Sequence, residues 1–212
     1  MNIIVSDHND HYHFRPDNTL AKGSGEYYMP DSIEYIKTIP AIAIRIDRAA
    51  KGLSRQFAHR YISKYSYGLL IYPQVKEQYL YSGNEASSHK SVQISRLQNI
   101  SSLQTALRTT LDNTTYISDN FIPLEDALQE ECIISLAIDN QLYRYKMPPS
   151  TLLKEKIYEL IERITLHSSL KTGDLLFIEL EPETIQEATQ VLQGSVISLT
   201  IGQREILNIP IR

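Results

Sequence analysis

IPAIAIRIDRAAKGLSRQFAHRYISKYSYGLLIYPQV, residues 39–75, decides how the rest of this chain is read. Its first part alternates. Ile42, Ile44 and Ile46 fall on one side, and Ala41, Ala43 and Arg45 on the other. That is the period of two expected of a β-strand with one buried face. Gly52 breaks the pattern, and Ser54 is placed to cap a helix. From Arg55 the apolar positions are Phe57, Ala58, Tyr61, Ile62 and Tyr65, at spacings of three and four. This predicts one helical face, ended by Gly68. Leu69, Leu70 and Ile71 then form a continuous apolar run stopped by Pro73, as expected of a strand buried on both sides.

Outward from this stretch, composition bounds the answer. The chain has 212 residues, 42% hydrophobic and 22% charged, which fits one domain with a proper core. Its formal charge of −4 removes the electrostatic case for nucleic acid. No apolar run approaches the ~20 residues that span a bilayer, and the first residues lack the basic-then-apolar pattern of a signal peptide. The single cysteine, Cys132, excludes an internal disulfide and a cysteine metal cluster. A cytoplasmic protein is the simplest expectation. The 14 tyrosines suit either binding surfaces or half-buried strands.

Met1 to Val5 is a short apolar strand seed. The following segment, SDHNDHYHFRPD, holds Asp7, His8, Asp10, His11, His13 and Asp17. Such a density of His and Asp could bind a divalent metal, and Asp7, His8, His11 and His13 are the weak candidates. His11 and His13 share a face in a strand, whereas His8 and His11 do so in a helix. No single local geometry gathers all three histidines, and a polar loop is the simpler reading. Gly23 and Gly25 mark a turn and are too loosely placed for a phosphate loop. Residues 82–88 are a loop by composition, and Ile100 to Leu107 is a candidate short helix with Leu103, Ala106 and Leu107 on its apolar side.

Farther along, Cys132 to Asp139 alternates as a strand, with Ile134, Leu136 and Ile138 on the core side. Asp139-Asn140 is a hairpin turn, with Asn140 expected to take the left-handed geometry, and Gln141 to Lys146 is the return strand. Ser150 is placed to cap a helix whose apolar face is Leu153, Ile157, Leu160, Ile161 and Ile164. Gly173-Asp174 makes a turn into a core strand beginning Leu175-Leu176-Phe177. Val196 to Ile201, a Gly202-Gln203 turn and Ile206 to Pro210 form a closing hairpin.

Two stretches carry a family resemblance. Arg48-Ala49-Ala50-Lys51-Gly52-Leu53-Ser54 with Phe57-Ala58-His59-Arg60-Tyr61 resembles an R-x-A-x-x-[LIV]-S turn and A-x-x-Y segment. Leu170-Lys171-Thr172-Gly173-Asp174-Leu175-Leu176 resembles L-K-x-G-D-L-[IL]. Both belong to the fumarylacetoacetate hydrolase (FAH) superfamily, metal-dependent hydrolases, isomerases, hydratases and decarboxylases of 2-keto and 1,3-dicarbonyl acids. Phe14-Arg15-Pro16-Asp17-Asn18, Asp112 and Pro123 match further landmarks. The resemblance implies a mainly β fold with α (α+β): an FAH-like mixed β-roll/barrel core with flanking helices and an outlying β-hairpin. It implies a single domain over 1–212, with 1–38 a shortened N-terminal strand and hairpin region and 39–212 the core.

The family's chemical residues do not follow its landmarks. Its E-x-E metal pair falls on Ile39 and Ala41, and its strand aspartate on Leu70. Its Arg-Asp step falls on Gln74-Val75 and its catalytic lysine on Thr109. Its G-T-P, which contacts a substrate carboxylate, gives way to Glu179-Leu180-Glu181-Pro182-Glu183, and its G-V-G loop to Ile185 to Gln190. Magnesium or manganese, the family's cofactors, need hard oxygen ligands that Ile, Ala and Leu lack. No cofactor and no catalytic residue is therefore expected.

The resulting expectation is a non-catalytic protein of this fold, a pseudoenzyme acting as a binding or partner subunit. The family's pairing through core β-structure implies a homodimer, or a heterodimer with an active paralogue. One alternative is a hydrolase, isomerase or decarboxylase with a relocated site, metal-dependent through Asp7, His8, His11 or His13, or metal-free with Glu179, Glu181 and Glu183 as candidates. Another is a small-ligand binding module using the old cavity, lined by tyrosines such as Tyr67 and Tyr72.

Overall fold

The computed structural model describes residues 1–9, 11–80, 104–124, 133–183 and 190–212. Its strands are β1 (Ile3–Ser6), β2 (Tyr12–Arg15), β3 (Leu20–Lys22), β4 (Ile33–Ile46), β5 (Ile62–Val75), β6 (Thr115–Ile117), β7 (Ile122–Pro123), β8 (Ile133–Ile138), β9 (Gln141–Lys146), β10 (Leu175–Glu179), β11 (Val196–Ile201) and β12 (Arg204–Pro210). Helices are α1 (Glu77–Leu80), α2 (104–110) and α3 (Ser150–His167). The main sheet runs β2-β1-β10-β4-β5-β6-β3, with β7 added beside β5, and a second sheet runs β12-β11-β8-β9. This is the mainly β, α+β fold expected.

The main sheet must curl. β2 and β3 stand at opposite ends of its strand order, yet only residues 16–19 join them. Six strand spacings would separate the two edges of a flat sheet by roughly 29 Å. The connecting chain can reach only about 17 Å. Thr19 accordingly meets Thr115 of β6 side chain to side chain at 3.3 Å. The sheet therefore has an inside and an outside.

Strand alternation sorts the residues between them. Ile3, Val5, Ala41, Ala43, Leu70, Tyr72, Ile117, Leu175 and Phe177 form the inner cluster. Ile4, Ile42, Ile44, Ile46, Tyr65, Tyr67, Leu69 and Ile71 face outward into a larger core. That outer core is closed by Leu153, Ile157, Leu160, Ile161 and Ile164 of α3 and by Ile134, Leu136, Ile138, Ile197 and Leu199 of the second sheet. The apolar faces expected for residues 69–71, 134–138 and 153–164 are thus the buried ones, whereas the strand over 41–46 has two buried faces rather than one, Ala41 and Ala43 inward and Ile42, Ile44 and Ile46 outward.

The two stretches that carry the resemblance touch. Ala50 and Leu170 exchange backbone hydrogen bonds, Gly173 N–H donates to Ile46 and Ile46 N–H to Asp174. The Asp174 carboxylate, fully buried, accepts from the backbone N–H groups of Asn2 (2.7 Å) and Lys171 (2.8 Å) and from the Asn2 side chain (2.9 Å). Gly52, at φ +60°, turns the chain onto α3, where the Thr165 hydroxyl accepts from Leu53 N–H and Glu162 from Arg55 N–H.

Several local expectations are corrected. Residues 55–65 are not one helix. Arg55–Arg60 is a 3₁₀ helix, and β5 already begins at Ile62. The spacing of three and four was met by one short turn followed by the buried tyrosine side of a strand. Gly68 lies mid-strand and ends nothing. Pro73 does not stop β5, which continues to Val75, because it lies beyond the residues that β6 pairs and so withholds no ladder donor. Ser54 and the start of α3 lack side-chain caps, and Ser150 is the first helical residue after an N-cap Pro149. In the β8–β9 turn the left-handed residue is Asp139 (φ 51°), not Asn140. Asp139 sits there because its carboxylate also accepts from Val196 N–H. Leu103 and Cys132 lie outside the described residues.

Candidate functional site

The positions where the FAH resemblance would place metal ligands lie together on the inner face. Ile39 pairs with Leu70, and Ala41 with Gly68, across β4 and β5. Ala41 and Leu70 are buried, with Ile39 packed against the same inner cluster. The Phe177 ring covers this region. A Cβ at Gly68 would stand 2.7 Å from Phe177 Cε1 and 2.7 Å from the Tyr116 carbonyl oxygen, so only glycine admits the ring. None of Ile39, Ala41 and Leu70 carries a side-chain oxygen, and the donor set does not fit a hard divalent cation. Thr109, at the lysine position, turns its hydroxyl back onto its own helix, donating to Ala106 O at 3.0 Å.

Polar groups gather beside that apolar patch, also on the inner face. β2 lies antiparallel to β1 with Arg15 opposite Ile3 and His13 opposite Val5, so both side chains point inward. Glu179 follows Leu175 and Phe177 at alternate positions of β10 and stands opposite Ala41. Tyr72 follows Leu70 in the same way on β5. The Tyr72 hydroxyl donates to Glu179 Oε1. His8 Nε2 lies 3.5 Å from Glu179 Oε2. The Arg15 guanidinium stacks over the Tyr72 ring at 4.6 Å, and Arg108 of α2 approaches the same ring at 5.3 Å. α2 is fixed there by Gln104, which accepts from Val75 N–H and donates to Pro73 O.

Arg15 is 2% exposed. Its Nη1 donates to Thr114 O at 2.9 Å, to Thr115 Oγ1 at 3.1 Å and to Ile71 O at 3.4 Å, reaching across the curl to β5 and β6. Its Nε and Nη2 make no well-aligned hydrogen bond among the described residues, nor do His13 Nε2 and His8 Nδ1, although the Tyr72 hydroxyl also bears on the guanidinium as a hydrogen-bond partner. Burial, and next the Arg15 guanidinium, push the His13 imidazole down to about 4. Burial holds the Glu179 carboxyl above its ordinary range against the opposing pull of Tyr72 and His8. Burial likewise raises the Tyr72 hydroxyl. A buried guanidinium, a neutral imidazole and a carboxyl bonded by phenol and imidazole thus cluster at one place on the inner face.

The weak metal candidates do not converge. Asp7 accepts from the backbone of Asn9 and His11 and faces the exposed His11 ring at 3.6 Å, which shapes a turn. His8 goes to Glu179, and His13 enters the interior. No group of three metal-ligating side chains occurs among the described residues. Asp10 lies outside them. Of the three acids at the end of β10, only Glu179 is buried, while Glu181 and Glu183 are exposed. Tyr67 and Tyr72 do not line one cavity. Their separation of five along one strand puts them on opposite faces, with the Tyr67 hydroxyl 3.2 Å from that of Tyr65 in the outer core. An open cleft of about 370 Å³ lies elsewhere, lined by Tyr27, Tyr28, Pro30, Thr110, Leu111, Asp112 and Asn113.

No family model and no curated protein matches the sequence. Solved structures do match. A 2-hydroxyhepta-2,4-diene-1,7-dioate isomerase from Mycobacterium marinum is 14% identical with a TM-score of 0.71, over 99% of this chain and 73% of that one. A protein provisionally assigned to the fumarylacetoacetate hydrolase family, from Yersinia pestis CO92, is 14% identical with a TM-score of 0.63, over 100% of this chain and 92% of that one. The chain has the FAH fold. A maleylpyruvate hydrolase from Sphingobium sp. SYK-6 has the same likeness, 16% identical with a TM-score of 0.67, over 100% of this chain and 70% of that one. At these identities the likeness speaks for the fold alone.

In the sequence Arg15 stood out only as part of the Phe14-Arg15-Pro16-Asp17-Asn18 landmark, not as the centre of a buried polar cluster. One signal was available: an arginine at an inward strand position, two residues after His13 and facing an apolar Ile3. Its partners at 72, 114 and 179 are too distant in sequence to announce themselves. Among the described residues no helix is long and apolar enough to cross a membrane.

Proposed function

We propose that this chain is a non-catalytic protein of the FAH fold, acting as a binding or partner subunit. The observation that carries this reading is the set Ile39, Ala41 and Leu70. These positions sit side by side in register on the inner face, without an oxygen donor, packed under Phe177. The neighbours of this fold include an isomerase and a hydrolase whose names specify carboxylic-acid substrates. Here the metal-dependent route to such chemistry lacks its ligands. As a subunit, the chain pairs with a second copy or with an active paralogue. Ile133, Leu142 and Val196, exposed on one side of the second sheet, supply an apolar surface for that pairing.

Calorimetric titration of the metal-stripped protein with Mg²⁺ and Mn²⁺, with oxalate in the cell, tests the reading. No heat and no shift in melting temperature are expected. Joint binding of metal and oxalate would overturn it. A second reading is favoured by the Glu179–Tyr72–His8 contacts: a metal-free acid–base enzyme. Turnover of a 1,3-dicarbonyl acid in EDTA, abolished by Glu179→Gln, would establish it in place of the first.

A further inference from the structure

We propose that the open cleft beside Tyr27 and Asp112, away from the inner face of the main sheet, is a binding site for a small primary ammonium ion. The proposal goes beyond the reading above and does not rest on it.

The cleft offers about 370 Å³, enough for a small organic molecule. One wall comes from residues 27–30, whose backbone is laid against the last residues of the chain. Tyr27 N–H donates to Pro210 O at 2.9 Å, and Arg212 N–H donates to Tyr27 O at 2.8 Å. The facing wall is 110–113, where the chain leaves α2. Asn18 holds it: its carbonyl accepts from Asn113 N–H at 3.2 Å, and its side-chain amide donates to Thr110 O at 3.4 Å and to Asp112 Oδ1. The Thr114 hydroxyl donates to Leu111 O at 2.7 Å. Both walls are set before any ligand arrives, so binding leaves little to be ordered.

The polar groups left over define the ligand. Tyr27 is 2% exposed and lines the cleft, and its hydroxyl makes no hydrogen bond among the described residues. A buried hydroxyl without a protein partner calls for one from the cleft. Burial, then Tyr116 and Asp112, raise this hydroxyl to about 12, so it stays neutral and can donate or accept. Asp112 spends Oδ1 on Asn18, which leaves Oδ2 for a donor in the cleft. Among the described residues no lysine or arginine lines the cleft to answer that charge. The other acid close by, Glu26, is occupied: Arg212 Nε donates to one oxygen at 3.0 Å and the Tyr28 hydroxyl to the other at 2.8 Å. The cleft therefore presents one open carboxylate oxygen, one open hydroxyl and the aromatic surface of Tyr27 and Tyr28. A primary ammonium group can donate to both oxygens at once, and tyrosine rings favour a cation beside them. Pro30 and Leu111 give its hydrocarbon chain an apolar wall. An anionic ligand would meet Asp112 with like charge.

The test uses the full chain in EDTA. Backbone amide signals of residues 27, 28 and 111–113 are followed as n-butylammonium, tetramethylammonium and potassium chlorides and sodium butyrate are added at constant ionic strength. Butylammonium is expected to shift those signals saturably and to raise the melting temperature. Tetramethylammonium, which has the charge but no N–H, is expected to bind more weakly, and butyrate not at all. Asp112→Asn keeps an acceptor for Asn18 and removes the charge, and should weaken butylammonium about 10-fold. Tyr27→Phe deletes only the unbonded hydroxyl and should also weaken it, which keeps the test open if Asp112→Asn does not fold. Absence of a saturable shift with butylammonium overturns the proposal, as does unchanged affinity in both variants. Equal binding of tetramethylammonium or butyrate overturns the assignment to a primary ammonium. An equal shift with potassium would mean an adventitious ion only, and overturns it too. The titration with metal and oxalate reads the inner face and this one reads the cleft, so either can fail without the other.

Discussion

Gly68 and His13 show how single residues decide what the inner face can hold. Gly68 stands where a methyl group would press on Phe177 Cε1 and on a backbone oxygen at 2.7 Å each. Gly68→Ala is expected to destabilise the protein by about 1–3 kcal/mol through overpacking. Phe177→Leu should recover part of that loss when combined with it, leaving only the backbone clash; urea midpoints of the two single variants and the double give the coupling. His13 acts through protonation. Its imidazole is held at about 4 against an ordinary value of 6.5 by burial, then by Arg15, with Arg108 adding to the depression and Asp7 opposing it. Between those values the unfolded chain takes up a proton that the folded chain refuses, so stability is full above pH 6.5 and falls as the pH drops towards 4. His13→Asn should flatten that part of the curve, as urea midpoints across the window will show. Glu179 works in the opposite sense: its raised carboxyl makes stability fall as the pH climbs above its ordinary 4.5, so Glu179→Gln should remove a loss on the alkaline side.

At the scale of elements, the stretches that resemble the FAH family are those that hold elements together. Asp174 ties the start of β10 to the N-terminus of the chain and to Lys171 by three hydrogen bonds within 2.9 Å. Asp174→Asn replaces one acceptor oxygen by an N–H₂ group facing another donor. A loss of about 1–3 kcal/mol in unfolding free energy is expected for the buried donor left unmet, read by urea denaturation at neutral pH. The same elements show what was legible in the sequence. Strands β8 and β11 and helix α3 could be read because each has one buried face, and the period of that face survives in the residues, while β4, buried on both faces between residues 40 and 44, could be read because isoleucines on one side alternate with alanines on the other. Residues 55–65 misled because Phe57, Ala58, Tyr61, Ile62 and Tyr65 satisfy a helical spacing by coincidence. A 3₁₀ turn ends at Arg60, and the alternating Tyr65, Tyr67 and Leu69 then belong to a strand. Asp139 took the left-handed place expected of Asn140 because a long-range bond to Val196 outweighs local preference.

At the scale of the whole molecule, the site follows from the curl of the main sheet, which no local pattern encodes. Only that curl brings Arg15 of one edge strand to the carbonyls of Ile71 and Thr114. The apolar residues at 39, 41 and 70 were visible in the sequence; the filling of the adjoining space by Phe177 was not, because residue 177 meets Gly68 only across β4. The two features are separable by mutation. Introducing carboxylates by Ile39→Glu, Ala41→Glu and Leu70→Asp places three acids in register under an aromatic ring. Like charges buried together without a counter-ion repel, so this triple variant should melt below the unaltered protein in EDTA and gain nothing from Mn²⁺. Adding Phe177→Ala opens the space above Gly68. The strand register that sets residue 39 opposite 70 is retained, and the fourfold variant should then recover melting temperature on addition of Mn²⁺, by preferential binding to the folded state. A response already present in the triple variant would show that Phe177 does not block the position. No response in either would show that the backbone of β4 and β5 is not spaced to gather three ligands around one ion.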